Sequence, residues 1–400
     1  MRFASLLLRA AETSRGRHAD LLVAATLSLG IGCGFASSDN TPDLVTVDAA
    51  SDGPVSIDTC LVGEFDFCSS SLPVGPALEI NTNTVMNTDT DPNCQAYLQA
   101  GGPTACLVYA QSLTISQSAT LRVIGSRPLV IASGSSITIA GTLDGSSERG
   151  GATGPNANFA SGCAPASVPQ NDQGGAGGGA GGSFRGTGGN GGDGDTDNSF
   201  GGDGNSPGGI ASTALTTPPA YARGGCAGAK GGNESGSAGQ GGAGGASGGA
   251  LWLYARGSIS VPVGGVIRAT GAGGAGGDVQ SGGGGGGSGG YIRLSGAQIA
   301  IAGTVAANGG AAGGGGCRCS GNDIAGDPGE DGHAAASSAA GGDGADISIG
   351  DGGNGSSAAS ILGQSGANAI VGGGGGGGGA GFIVLVGLKS VTGVISPPAL

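Results

Sequence analysis

The chain has 400 residues, 96 of them glycine, with a formal charge of −13 and only 4% aromatic residues. A glycine share roughly three times the usual figure of about 7% argues against a large helical or doubly wound core, because each glycine costs a helix about 1 kcal/mol relative to alanine. Collagen is excluded too, since the glycines fall in pairs and runs without a strict three-residue period, and an acidic, nearly lysine-free chain is the wrong partner for nucleic acid.

Residues 1–32 read as an export signal. Arg2, Arg9, Arg15 and Arg17 form a basic start, and residues 21–31, LLVAATLSLGI, form an apolar stretch too short to span a bilayer. The segment ends in LGIGC, where Gly32 and Cys33 occupy the last two positions of a lipobox. On those residues the chain resembles bacterial lipoproteins, which implies that Cys33 becomes the lipidated first residue of the mature protein. Gly30 stands where that family usually has leucine, so plain secretion after ordinary signal-peptidase cleavage is the alternative. Removing the signal takes away four arginines, Glu12 and Asp20, which leaves 11 basic against 26 acidic residues and a charge of −15. Such acidity serves solubility.

Of nine cysteines, eight remain beyond Cys33, an even set that suits disulfides in an oxidising compartment. Sequence-nearest pairing joins Cys60 with Cys68, Cys94 with Cys106, Cys163 with Cys226, and Cys317 with Cys319. No C-x-x-C or Cys/His cluster supports zinc.

Taken in order, residues 33–58 are polar and acidic and read as a disordered tether. Residues 59–149 form a disulfide-stapled first β-solenoid part, in which Leu78 and Ile80 begin the first strand. Leu113 and Ile115, Leu121 and Val123, Leu129 and Ile131, and Ile137 and Ile139 are inward pairs displaced by eight residues each. Three strands per 24-residue coil predict a parallel β-helix or β-solenoid with long glycine-rich loops; the alternative is an antiparallel β-sandwich. Residues 150–249 are a glycine-rich low-complexity insertion that buries too little apolar surface for an ordinary core. Such segments are either disordered or packed side by side in polyproline-II-like form.

Residues 250–400 form a second β-solenoid part with glycine-rich loops. The unit 248–274 recurs at 289–314 and 380–397, so Leu251 and Leu253 correspond to Ile292 and Leu294 and to Ile383 and Leu385. Between residues 281 and 316, Ile292, Leu294, Ile299, Ile301 and Val305 alternate at period two between two glycine runs. ITIAGTLDG at 137–145 matches IAIAGTVAANG at 299–309 and ties the two parts together, with the glycine segments leaving from one edge. A strand, an A-G-T-[LV] motif and a G-G-x-G-G excursion together resemble glycine-rich lipoproteins of myxobacteria-like bacteria and, in composition only, mycobacterial PE-PGRS proteins. The resemblance implies a surface location and no defined activity.

Residues that carry chemistry are few. GGNGGDGDT at 188–196 and GGDGADISI at 341–349 approximate the calcium β-roll repeat, so Asp193, Asp195, Asp343 and Asp346 are the metal candidates. No other cofactor is expected. Lys230 in GAKGG lacks the hydroxyl residue of a phosphate loop. His333 is the sole mature histidine and lies outside any G-x-S-x-G elbow. A polysaccharide-active β-helix would need paired acids on the strands, where only Glu79 and Asp144 stand. Trp252, Tyr254, Tyr291 and Arg293 alternate with the inward leucines and isoleucines; they either bind sugars or a partner protein, or pack beneath the glycine loops. The expectation is a noncatalytic, exported lipoprotein of the outer membrane or cell surface, acting as a structural or adhesive module. It would meet the membrane through its lipid anchor only, with glycans or other surface proteins as partners. A carbohydrate-binding or carbohydrate-active β-helix and a calcium-binding β-roll-like protein are the alternatives.

Overall fold

The computed structural model describes residues 61–62, 65–66, 75–198, 205–236, 239–346 and 349–400. The export signal, Cys33, the tether, Cys60 and Cys68 fall outside the described residues. Regular secondary structure among the described residues is almost entirely β-strand, and the main sheets are parallel.

Three ladders carry the strands. The first joins Ala105–Ala110 and Leu129–Ser133 to the leading halves of Ala250–Val261, Tyr291–Ile301 and Phe382–Val391. A second ladder joins Leu78–Ile80, Leu113–Ile115 and Ile137–Ile139 to the trailing halves of those three long strands. The third runs through Thr84–Asn87, Thr120–Ile124, Thr142–Asp144, Val266–Arg268, Thr304–Ala306 and Val394–Ser396. Strands of the other ladders intervene before the chain returns to any one of them, always in the same direction, so the pairing is parallel. The antiparallel sandwich alternative therefore fails. Antiparallel pairing occurs in short additions such as Gln95–Tyr97 on Ala105–Ala110, and Cys317–Cys319 on Asn322–Ile324.

Register follows the apolar alternation. Leu113 pairs with Ile137, and Leu251 with Ile292, which in turn pairs with Ile383. These side chains, with Leu121, Leu143 and Ile259, are fully buried in one continuous core. Each buried aliphatic side chain contributes about 1.5–3 kcal/mol relative to exposure.

The glycine-rich segments are ordered, and they form a second kind of interior. Residues 282–290 donate successive amides to three different neighbours. Gly283, Gly286 and Gly289 bond to Gly373, Gly376 and Gly379; Gly284, Gly287 and Gly290 bond to Ala275, Ala272 and Ala269; Gly282, Gly285 and Ser288 bond to Gly232, Ala229 and Cys226. Their carbonyls accept from three more segments, at residues 242–248, 179–182 and 310–313. A three-residue step is the period of the polyproline-II helix, which has no internal hydrogen bonds and turns its donors and acceptors outward. Laid side by side, such helices satisfy one another. Six neighbours leave almost no room for side chains, Ser288 being the one exception in this run: a Cβ on Gly283 or Gly286 would run into the carbonyl oxygens of Gly313 or Gly310.

Glycine content therefore tracks the number of neighbours. Residues 372–379 are all glycine, and their segment is likewise surrounded, bonding to stretches around residues 179, 189, 286, 313, 353 and 364. Residues 363–369, GQSGANA, keep glycine only at every third place; Gln364, Ser365, Ala367 and Asn368 are exposed at the margin. The lattice segments enter after a strand of the third ladder and return before one of the first.

Candidate functional site

The alternate positions of the first ladder do not form an exposed binding surface. Trp252, Tyr254 and Tyr291 are 4%, 6% and 1% exposed. They belong to a second apolar cluster with Leu107, Val130, Phe184, Ala222 and Phe382. Trp252 meets Tyr291 edge-on at 5.5 Å between centroids, Phe184 meets Phe382 edge-on at 5.0 Å, and the Arg293 guanidinium lies 5.1 Å from the Trp252 ring. The Tyr291 hydroxyl donates to the carbonyl of Pro219. For the three aromatic residues the sugar-binding reading is thereby corrected, since Phe184 and Ala222 of the glycine-rich insertion pack in the same cluster, while Arg293 is half-buried at its margin. Tyr291→Ala should cost about 3–5 kcal/mol, measured by urea unfolding, through loss of packing at the centre of this cluster.

Beside that cluster stands a buried arginine. Arg223 is 1% exposed and makes no salt bridge among the described residues. Its guanidinium carbon lies 5.4 Å from the Phe159 ring and 4.8 Å from the Phe184 ring. Nε donates to the carbonyl of Gly224, and one terminal nitrogen donates to the carbonyl of Gly162. The other terminal nitrogen reaches both sulfurs of a disulfide, Cys163 Sγ at 3.1 Å and Cys226 Sγ at 3.3 Å. Burial lowers the Arg223 pKa, and Tyr221 opposes the shift. A guanidinium remains charged in proteins.

The disulfide lines a cavity of about 590 Å³ together with Ala164, Pro165, Gly182 and Lys230. Cys163 is half-buried and Cys226 is buried. None of the cavity's lining residues is acidic. Sequence-nearest pairing names this bridge, along with Cys94–Cys106 and Cys317–Cys319, which also form. Arg223 was missed, because nothing in ARGGC marks an arginine that turns inward.

The remaining candidates do not gather. Asp193 accepts from the amide of Gly208, Asp195 is buried, and Asp343 and Asp346 are exposed. Among the described residues no three Asp, Glu, His or Cys side chains come together as a metal site. His333 contacts Ser337 Oγ at 3.1 Å and Glu330 Oε2 at 3.1 Å. That order of contacts matches an acyl-transfer triad, yet both the imidazole and the carboxylate are solvent-exposed and water competes for each bond.

Asp144, one of the two acids expected near the strands, is 2% exposed between two arginines on neighbouring rungs. Its Oδ2 lies 2.8 Å from Arg122 and 2.7 Å from Arg268. Burial alone would push its carboxyl up. The hydrogen bond and charge of Arg268, the charge of Arg122 and the amide of Ser146 outweigh burial and hold the pKa below its ordinary value. Asp144 therefore acts as a buried tie between rungs, unsuited to proton transfer. Compared with known proteins, the chain matches no family model, no curated protein and no solved structure.

Proposed function

We propose that the chain is a noncatalytic, exported cell-envelope lipoprotein acting as a structural or adhesive surface module, with a parallel β-solenoid as its spine. The observation that carries this reading is the lattice of extended glycine segments, whose interior consists of backbone and whose margins present small polar side chains. It invests chain length in shape and hydrogen bonding, as a scaffold does. Regular visiting of three ladders in turn supports the solenoid, because each rung stacks on the last with its apolar pairs in register. Disulfides among the described residues support an oxidising, exported setting.

A carbohydrate-active reading is the weaker one, since Asp144 is held by two arginines and the aromatic row is covered. Whole-cell protease shaving with mass spectrometry of the mature N-terminus tests the proposal. A lipidated Cys33 and release of a folded fragment from intact cells are expected. An unmodified Met1 start, or protection until the cells are lysed, would overturn it.

A further inference from the structure

We infer that the Cys163–Cys226 bridge is a thiol–disulfide exchange site for a carboxylate-bearing low-molecular-weight thiol, with Arg223 holding the departing sulfur. Three observations converge on it. Arg223 is buried without a salt-bridge partner among the described residues, and one of its nitrogens lies within 3.3 Å of both sulfurs. A cavity of about 590 Å³ is lined by both cysteines, and Arg223 is not among its lining residues. The cavity wall carries Lys230 and no acid.

A disulfide yields more readily when the thiolate that leaves is stabilised, and a neighbouring guanidinium stabilises thiolate over thiol. Cys163 is the less buried of the two cysteines, so the incoming thiolate attacks there. The S–S bond breaks, its electron pair stays on Cys226, and Arg223 receives the new negative charge at 3.3 Å. A second molecule of the same thiol attacks the mixed disulfide on Cys163, giving the oxidised thiol dimer and a second protein thiolate. Two electrons pass from two thiols to one disulfide, and no further oxidant or reductant is needed. Arg223, which has no salt-bridge partner among the described residues, and Lys230 at the wall favour an anionic thiol over a cationic one.

The internal reference is Cys94–Cys106, which also pairs a half-buried cysteine with a buried one and has no arginine hydrogen-bonded to it among the described residues. The experiment treats the full folded chain with reduced glutathione, quenches by alkylation and follows each bridge by peptide mass spectrometry. Cys163–Cys226 should open at least tenfold faster than Cys94–Cys106, with glutathione trapped on Cys163. Cysteamine, the positively charged probe, should show a smaller preference between the two bridges. Arg223→Met should erase the rate advantage. Should that variant fail to fold, the wild-type ranking of the two bridges still decides the matter. Equal rates, earlier opening of Cys94–Cys106, or trapping on Cys226 would overturn the inference.

Discussion

Gly286→Ala should destabilise the protein by about 3 kcal/mol, read as a lowered midpoint in urea or heat. A methyl group there meets the carbonyl oxygen of Gly310, with Ala311 O and Gly310 C both at 2.7 Å. The obstruction is backbone, so no side chain can swing aside. Moving the 310–313 segment would break the amide bonds from Gly310 to Gly287 and from Gly313 to Gly284, each 2.8–2.9 Å long. A buried donor left without a partner costs about 1–3 kcal/mol. The matched control is Ala243→Ser, on an exposed margin of the same lattice. It should change stability by no more than about 0.5 kcal/mol. Equal effects of the two substitutions would mean that the glycine segments are loosely held.

Asp144→Asn should cost about 3 kcal/mol at neutral pH, because it leaves Arg122 and Arg268 facing each other with no counter-charge between them. The pH dependence carries a defined sign. The folded-state pKa of Asp144 lies below its ordinary value, so its contribution is complete above that ordinary value and disappears as pH falls through the folded one. The stability gap between wild type and Asp144→Asn should therefore be constant around neutrality and shrink in acid. Measuring the difference between the two proteins cancels other acid-sensitive groups such as Asp89, whose pKa is also lowered. A gap that does not depend on pH would show that the carboxylate charge contributes nothing.

Strand alternation made the apolar interior legible. Leu113 and Ile115 or Ile292 and Leu294 carry a period-two signal, and an eight-residue step sets their order. Glycine segments gave half of their answer in the same way. A run such as residues 372–379 says that every side is occupied, yet without side chains it cannot say by what, so the neighbours at residues 179, 189, 286, 313, 353 and 364 emerge only in three dimensions. The aromatic row was ambiguous for a related reason. Alternation places Trp252 and Tyr291 on the outer face of a strand, and whether that face is wet depends on Phe184 and Ala222, far away in low-complexity chain. Asp144 showed the same limit, since one of its two arginines lies 124 residues further on.

Because a polyproline-II turn takes three residues and rises about 9 Å, chain length in the lattice is counted in threes. Losing one Gly-Gly-x triplet slides a segment by one turn and leaves its donors aimed at the same neighbours. Losing a single residue rotates every later donor by about 120°, onto the wrong ones. The lattice thus keeps a reading frame in space: the depth of the module can drift by whole triplets while its cross-section stays fixed.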